Sequence, residues 1–218
     1  LEMAGKDAKL LIHPVVGKTQ DCDIDYHTRV RCYKHVMNYY PENTAKLALL
    51  PLSMRMAGPR EAVWHALIRK NYGCTHFVVG RDHAGPSYKK QDGSDFFGPY
   101  DAQNLLLSVK DEIGIEIIVS KLIVYAIHKE TGVAGYHRID TINKDEYEIK
   151  KISGTEQRKM LNEGIPIPDW FSFPNVIEEL TKEFTLLNKK GLCIYFIGLS
   201  GSGKTTIANA LLAKLKEK

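Results

Sequence analysis

Apolar residues cluster along this chain in two alternating spacings. Ala8–Val16, Lys46–Leu50 and His76–Val79 are short apolar runs of strand length. Between them, Asp25–Tyr40 and Pro59–Tyr72 carry apolar residues at helical spacing, with Ala62 and Ala66 beside Val63 and Leu67. A further helix is predicted over Asp101–Ile113, with Leu105, Leu106 and Val109 on one side, before strands at Ile115–Val119 and Leu122–Ile127. Strand–helix alternation of this kind predicts an α/β fold with a mainly parallel sheet covered by helices.

The pattern turns irregular after Ile127. It resumes at Ser153-Gly-Thr-Glu156, a capping box in which the serine oxygen accepts from the third helical amide and the glutamate reaches back. A helix is expected from Gly154 to Asn162, stopped by Gly164 and Pro166, and another over Val176–Phe184. Thr185–Gly191 reads as a domain junction, and Leu192–Ile197 as a strand opening a second domain.

Composition narrows the class without deciding it. The 218 residues are 44% hydrophobic and 26% charged, the balance of a globular protein. A net charge of +4, with scattered basic residues, gives no footprint for nucleic acid, and no apolar run approaches the ~18 residues of a membrane helix. The four cysteines have no C-x-x-C spacing, which favours inert thiols in a reduced cytoplasmic setting over disulfides. The first residue is Leu1 rather than Met, as expected of a piece of a longer chain.

The strongest chemical signal lies near the carboxyl end. Gly198, Leu199, Ser200, Gly201, Ser202, Gly203, Lys204 and Thr205 match G-x-x-x-x-G-K-[ST], a loop whose amides cradle phosphates. Lys204 would meet the β/γ-phosphates of ATP, and Thr205 would offer its hydroxyl to the accompanying magnesium. Ile207, Leu211 and Leu215 form a helical stripe after it. Phosphoryl transfer needs more than a loop, so the second domain is expected to be truncated.

A second candidate follows the His76–Val79 strand. Gly80-Arg-Asp-His-Ala-Gly-Pro86 occupies the carboxyl end of a strand, where ligands of parallel sheets collect. Gly80 and Gly85 permit close backbone approach, and Arg81 and His83 offer donors to phosphate or sulfate oxygens. The loops at His13–Gly17 and Ser53–Arg60 are expected on the same edge. His13, His65, His76, His128 and His137 read individually as core or surface histidines, Asp82 as a turn residue, and no spacing suggests zinc.

"MRMAGPREAVWHALIRKNYG", "HFVVGRDHAGP", "DFFGPYDAQ" and "ISGTEQRKML…IPDWFSFPNV" together resemble ATP sulfurylase of the single-chain type, from about residue 1 to 184. "CIYFIGLSGSGKTTIANAL" resembles the beginning of adenylyl-sulfate kinase. The resemblance implies a Rossmann-like nucleotidyltransferase core over 1–127, a small mostly helical subdomain over 128–184, a linker at 185–191 and a truncated P-loop kinase start over 192–218. It implies ATP, sulfate, adenylyl sulfate and pyrophosphate as ligands, magnesium with ATP, no tightly bound cofactor, and a possible homo-oligomer. Gly80, Arg81, Asp82 and His83 would contact ATP, with Arg81 and His83 catalytic. The Ala84 amide would bind sulfate, and the backbone at Ile123 would meet adenine.

Two departures stand out. Ser87 replaces the glycine usual after "GRDHAGP", and the family's Q-x-R-N-P-x-H-x-x-H motif is absent from this sequence. The chain alone is therefore expected to be inactive. Two other readings remain: a sulfurylase whose kinase-like domain only senses nucleotide, and an unrelated P-loop ATPase, which the ordered blocks disfavour.

Overall fold

Two short parallel strand pairs organise the first half of the chain, in a computed structural model that describes residues 4–5, 7–20, 23–187 and 193–216. β1 (Leu10–Ile12) pairs with β2 (Ala45–Leu47), Leu10 opposite Ala45, and a bridge from Val15 to Leu50 prolongs the pair. β3 (His76–Val79) pairs with β4 (Glu116–Val119), His76 opposite Glu116. Among the described residues no strand joins the two pairs, so the single sheet expected from the pattern is two separate ones. An apolar run specifies that a strand is buried; it does not name its neighbour.

Helices α1 (Tyr26–Met37), α2 (Pro59–Asn71) and α3 (Asp101–Ile113) fall where the spacing predicts. The Asp25 side chain caps α1 by accepting from the His27 amide. Pro59 opens α2 at a position whose amide has no helical partner. The buried face of α2, however, is Glu61, Ala62, His65 and Ala66, while Leu67 is exposed. That face packs with Phe77, Val79, Ala102, Leu106, Ile113 and Ile115 into one core. The three alanines let α2 and α3 approach closely, and full burial of Leu106 and Val79 contributes roughly 1.5–3 kcal/mol each.

The segment from 128 onward is not mostly helical. β5 (Ile123–His128) is the centre of an antiparallel sheet, flanked by β6 (Ala134–Arg138) and β7 (Tyr147–Lys150). β6 alternates exposed and half-buried residues and includes Gly135, so it shows no apolar run to read. α4 (Gly154–Glu163) carries the predicted capping box, and α5 (Pro174–Leu187) follows it. Leu161, Ile167, Val176, Leu180 and Phe184 form a second core against residues of α1. Arg31 of α1 donates to Glu179 of α5 at 2.8 Å.

The expected strand before the P-loop is absent: residues 193–199 have no regular structure, and Leu192 lies outside the described residues. A strand needs a partner for its amides, and no described strand pairs with it. Tyr195 and Ile197 are exposed. α6 (Lys204–Lys216) forms as predicted, with Ile207 and Leu215 exposed on it. Cys32, Cys74 and Cys193 are free, as expected; Cys22 is outside the described residues.

Candidate active site

β3 delivers the chain into the loop Gly80–Gly85. Asp82 and Ala84 have φ of 50° and 55°, left-handed values uncommon for residues with a side chain. Three backbone bonds hold this shape: Asp82 N to Pro99 O at 2.9 Å, Gly85 N to Asp82 O at 3.0 Å, and Gly58 N to Ala84 O at 2.9 Å. The second and first strand-end loops therefore play unequal parts. Gly58 and Pro59 reach the site, whereas His13 is buried, with its ring edge-on to Tyr72, and does not line it.

Arg81 and His83 line one cavity of about 440 Å³, together with Lys89, Asp95, Phe97 and Pro99. Asp82 is also on its wall; Ala84 is not, and its carbonyl accepts from the Gly58 amide. The Arg81 guanidinium sits 5.7 Å from the centroid of the Tyr100 ring and 3.7 Å from the Asp82 carboxylate. Arg81 also lines a second cavity of about 670 Å³, with Ile123, Tyr125, Trp170 and Phe171. Tyr125 and Trp170 stack there at 5.2 Å, with ring planes nearly parallel. The structure thus places Arg81 and Ile123 on one cavity, and Arg81 and His83 on its neighbour. A Cβ at Gly80 would meet no atom of the chain within 4 Å, so the chain's own packing does not require glycine there.

Beneath the loop, His83 Nε2 lies 3.0 Å from Nδ1 of the buried His65. Burial, reinforced by the nearby Arg69 cation, pushes the His65 imidazole down to about 4 and lowers His83 as well. At pH 7 both shifts favour the neutral imidazole. His65 is the site residue that sequence reading passed over. Its position four residues after Glu61, on a face otherwise made of alanine, was the available signal.

In the P-loop, Gly201 and Gly203 take φ of 79° and 80°, values suited to glycine. Lys204 Nζ donates to the carbonyls of Gly198 and Leu199, at 2.8 and 2.6 Å. Thr205 stands in the first turn of α6. Among the described residues, no group of three or more His, Cys, Asp or Glu could hold a metal ion by itself.

The sequence profile described as ATP-sulfurylase matches residues 1–183 of the 218. The chain belongs to the ATP-sulfurylase family. Residues 190–218 match a second profile, Adenylylsulphate kinase. The relatives of this ATP-sulfurylase family chain include a "Sulfate adenylyltransferase" of Eremothecium gossypii, 52% identical over 95% of the chain and 40% of its own length. One of the same name from Mycosarcoma maydis is 48% identical over 97% of the chain and 36% of its own length. The chain thus spans less than half of these relatives. A solved structure, "Hexameric APS kinase from Thiobacillus denitrificans", covers 97% of the chain at a TM-score of 0.62 and 27% identity, using 38% of its own length. The ATP-sulfurylase match contains both Arg81 cavities, and the kinase match contains the P-loop. Among the described residues, no helix is long and apolar enough to cross a membrane.

Proposed function

We propose that this chain carries the nucleotide-handling part of a sulfate-activating enzyme. In the reaction, a sulfate oxygen attacks the α-phosphorus of Mg-ATP; the bond from that phosphorus to its bridging oxygen breaks, and pyrophosphate leaves with the electron pair. The product is adenylyl sulfate. A kinase domain opened by the P-loop then transfers a γ-phosphoryl group from a second ATP to the product's 3′-hydroxyl. The domains are residues 1–127 and 128–184 for the first step, 185–191 as linker, and 192–218 for the start of the kinase.

One observation carries this reading: Arg81 lies on the walls of two adjoining cavities of different chemistry. The cavity with Ile123, Tyr125 and Trp170 offers aromatic and aliphatic surface for a base, with backbone at Ile123 for its edge. The cavity with Gly80, Asp82 and His83 nearby suits phosphates, because Arg81 supplies fixed positive charge between the two. Left-handed φ at Asp82 and Ala84, with His83 between them on the ordinary side, is the alternation that turns backbone amides toward an anion. That geometry supports the Ala84 amide as a sulfate donor. Two anions must meet in this step, so preplaced donors and magnesium would offset their repulsion. Magnesium would arrive with ATP, and at the P-loop the Thr205 hydroxyl beside Lys204 would hold it.

The test is nucleotide binding by the 218-residue chain in a Trp64→Phe background, read from Trp170 emission. ATP should change that emission in the millimolar range, and Arg81→Ala should weaken the response about tenfold or more. An unaltered emission with ATP, or equal affinity in the folded Arg81→Ala protein, would defeat the reading. Pyrophosphate release by this chain should stay below one-tenth of that of the Eremothecium gossypii relative, because several donors supplied by the Q-x-R-N-P-x-H-x-x-H motif are absent and each is commonly worth 100- to 1000-fold.

A further inference from the structure

Resting on the nucleotide-site reading of Arg81 and His83, we propose that Glu61 and His65 are positioning residues that fix His83 in one tautomer, its proton on Nε2 and its Nδ1 left as a bare acceptor. Both oxygens of the buried Glu61 carboxylate are held by backbone amides, Oε1 by Arg55 at 2.8 Å and Oε2 by Ala57 at 2.9 Å. Two amide donors hold the carboxylate in one orientation. One turn along α2, His65 Nε2 lies 3.7 Å from Glu61 Oε1 and is fully buried, with no hydrogen-bond partner of its own. That separation is too long for a hydrogen bond. It is short enough for the carboxylate's field to favour an N–H over a lone pair on the facing nitrogen.

A neutral imidazole has a single proton to place. With that proton on Nε2, His65 Nδ1 becomes an acceptor. The contact of 3.0 Å between His65 Nδ1 and His83 Nε2 needs one donor, which must then be the Nε2–H of His83. Its own Nδ1 is left bare. The charged and titratable groups acting on the pair are Arg69 on both rings, Glu61 facing His65 and favouring a cation at His83, and the His83 imidazole on His65. Burial and Arg69 oppose a cation at either ring; Glu61 favours one at His83 only as the weakest of the three influences.

The consequence is a division of labour at the cavity. Arg81 is the donor for phosphate oxygens. Burial and Arg69 disfavour a second cation at His83, and its bare nitrogen would repel a phosphate oxygen. The ligand group that suits it is a donor, such as a sugar hydroxyl or a water carried by a metal ion. The same pair ties the loop after β3 to α2, as the Gly58–Ala84 backbone bond does to the residues preceding α2.

Long-range ¹H–¹⁵N correlation spectra of the ¹⁵N-histidine-labelled 218-residue chain test this directly. At pH 7 the expected result is both rings of the Nε2–H type, assigned with His65→Phe and His83→Asn. In Glu61→Gln the side-chain amide can present an N–H to His65 Nε2, so both rings should switch to the Nδ1–H type. A wild-type His83 protonated on Nδ1 would overturn the proposal, even if the Glu61→Gln chain fails to fold. So would a folded Glu61→Gln chain with unchanged tautomers. ATP titration of the wild-type chain separates the two claims: the expected tautomers with no ATP binding would defeat the nucleotide reading and leave the Glu61–His65 pair standing.

Discussion

Gln103 of α3 donates through Nε2 to the carbonyl of Val79, the last residue of β3, at 3.2 Å. The same nitrogen lies 3.2 Å from the carbonyl of Ser120, just past β4. One buried side chain therefore ties the ends of both strands at the point where β3 turns into the Arg81 loop. This gives the "GPYDAQ" block a physical role: Asp101 accepts from the Gly98 amide at 2.7 Å, Pro99 accepts from Asp82, and Gln103 clamps the strand ends. Replacing Gln103 by Leu keeps the volume, removes the side-chain donor from the Ser120 carbonyl and leaves the Val79 carbonyl with the Ser120 amide at 2.9 Å as its donor. The expected loss is about 1–3 kcal/mol, seen as a lower urea midpoint. An unchanged midpoint would mean that solvent already satisfies the Ser120 carbonyl.

Gly58 is required by its surroundings as well as by its backbone. Its φ of 55° and ψ of −120° suit glycine, and an added Cβ would stand 2.5 Å from Cδ2 of Phe97. Gly58→Ala should destabilise the chain by roughly 1–3 kcal/mol, through strain and overpacking together. Adding Phe97→Ala should recover only part of that loss, because it removes the clash and keeps the strain. Full recovery in the double variant, measured by thermal unfolding, would assign the whole effect to the ring.

Acid should weaken this fold through its buried histidine pair. His65 titrates near 4 in the folded chain, against 6.5 when unfolded. Between those values the unfolded chain binds a proton there and the folded chain does not, so stability is lost as pH falls from about 6.5 towards 4. His83, lowered too, acts in the same direction. The loss from His65 alone should be on the order of 3 kcal/mol by pH 4. A urea midpoint followed across this range should fall steeply in the wild type and less steeply in His65→Phe.

The two nucleotide motifs should be separable. In a longer protein that contains this chain and performs both steps, Arg81→Ala should lower pyrophosphate release by 100-fold or more and spare the kinase step. Lys204→Ala should do the reverse, since it removes the charge expected at the β/γ-phosphates. Equal loss of both activities in either folded variant would contradict two independent sites.

Much of this protein is legible in its residues alone. Pro59, the Ser153–Glu156 box and Gly164 mark helix ends because capping is local, and the glycines of the P-loop are legible because a left-handed backbone is a property of single residues. What the pattern does not contain is which distant groups meet. β5 is legible as an apolar run, but its neighbour β6 escapes the pattern because Gly135, His137 and Arg138 stay partly exposed and leave no apolar period. The run Leu192–Ile197 reads as a strand, yet its described residues 193–197 form none, since a ladder needs a second strand and its own residues cannot provide one. His65 looks like an ordinary helical histidine until folding buries it beside Glu61 and within 3.0 Å of His83. Only tertiary structure decided that pairing, because burial of a polar ring is determined by the elements packed over it, and those lie elsewhere in the chain.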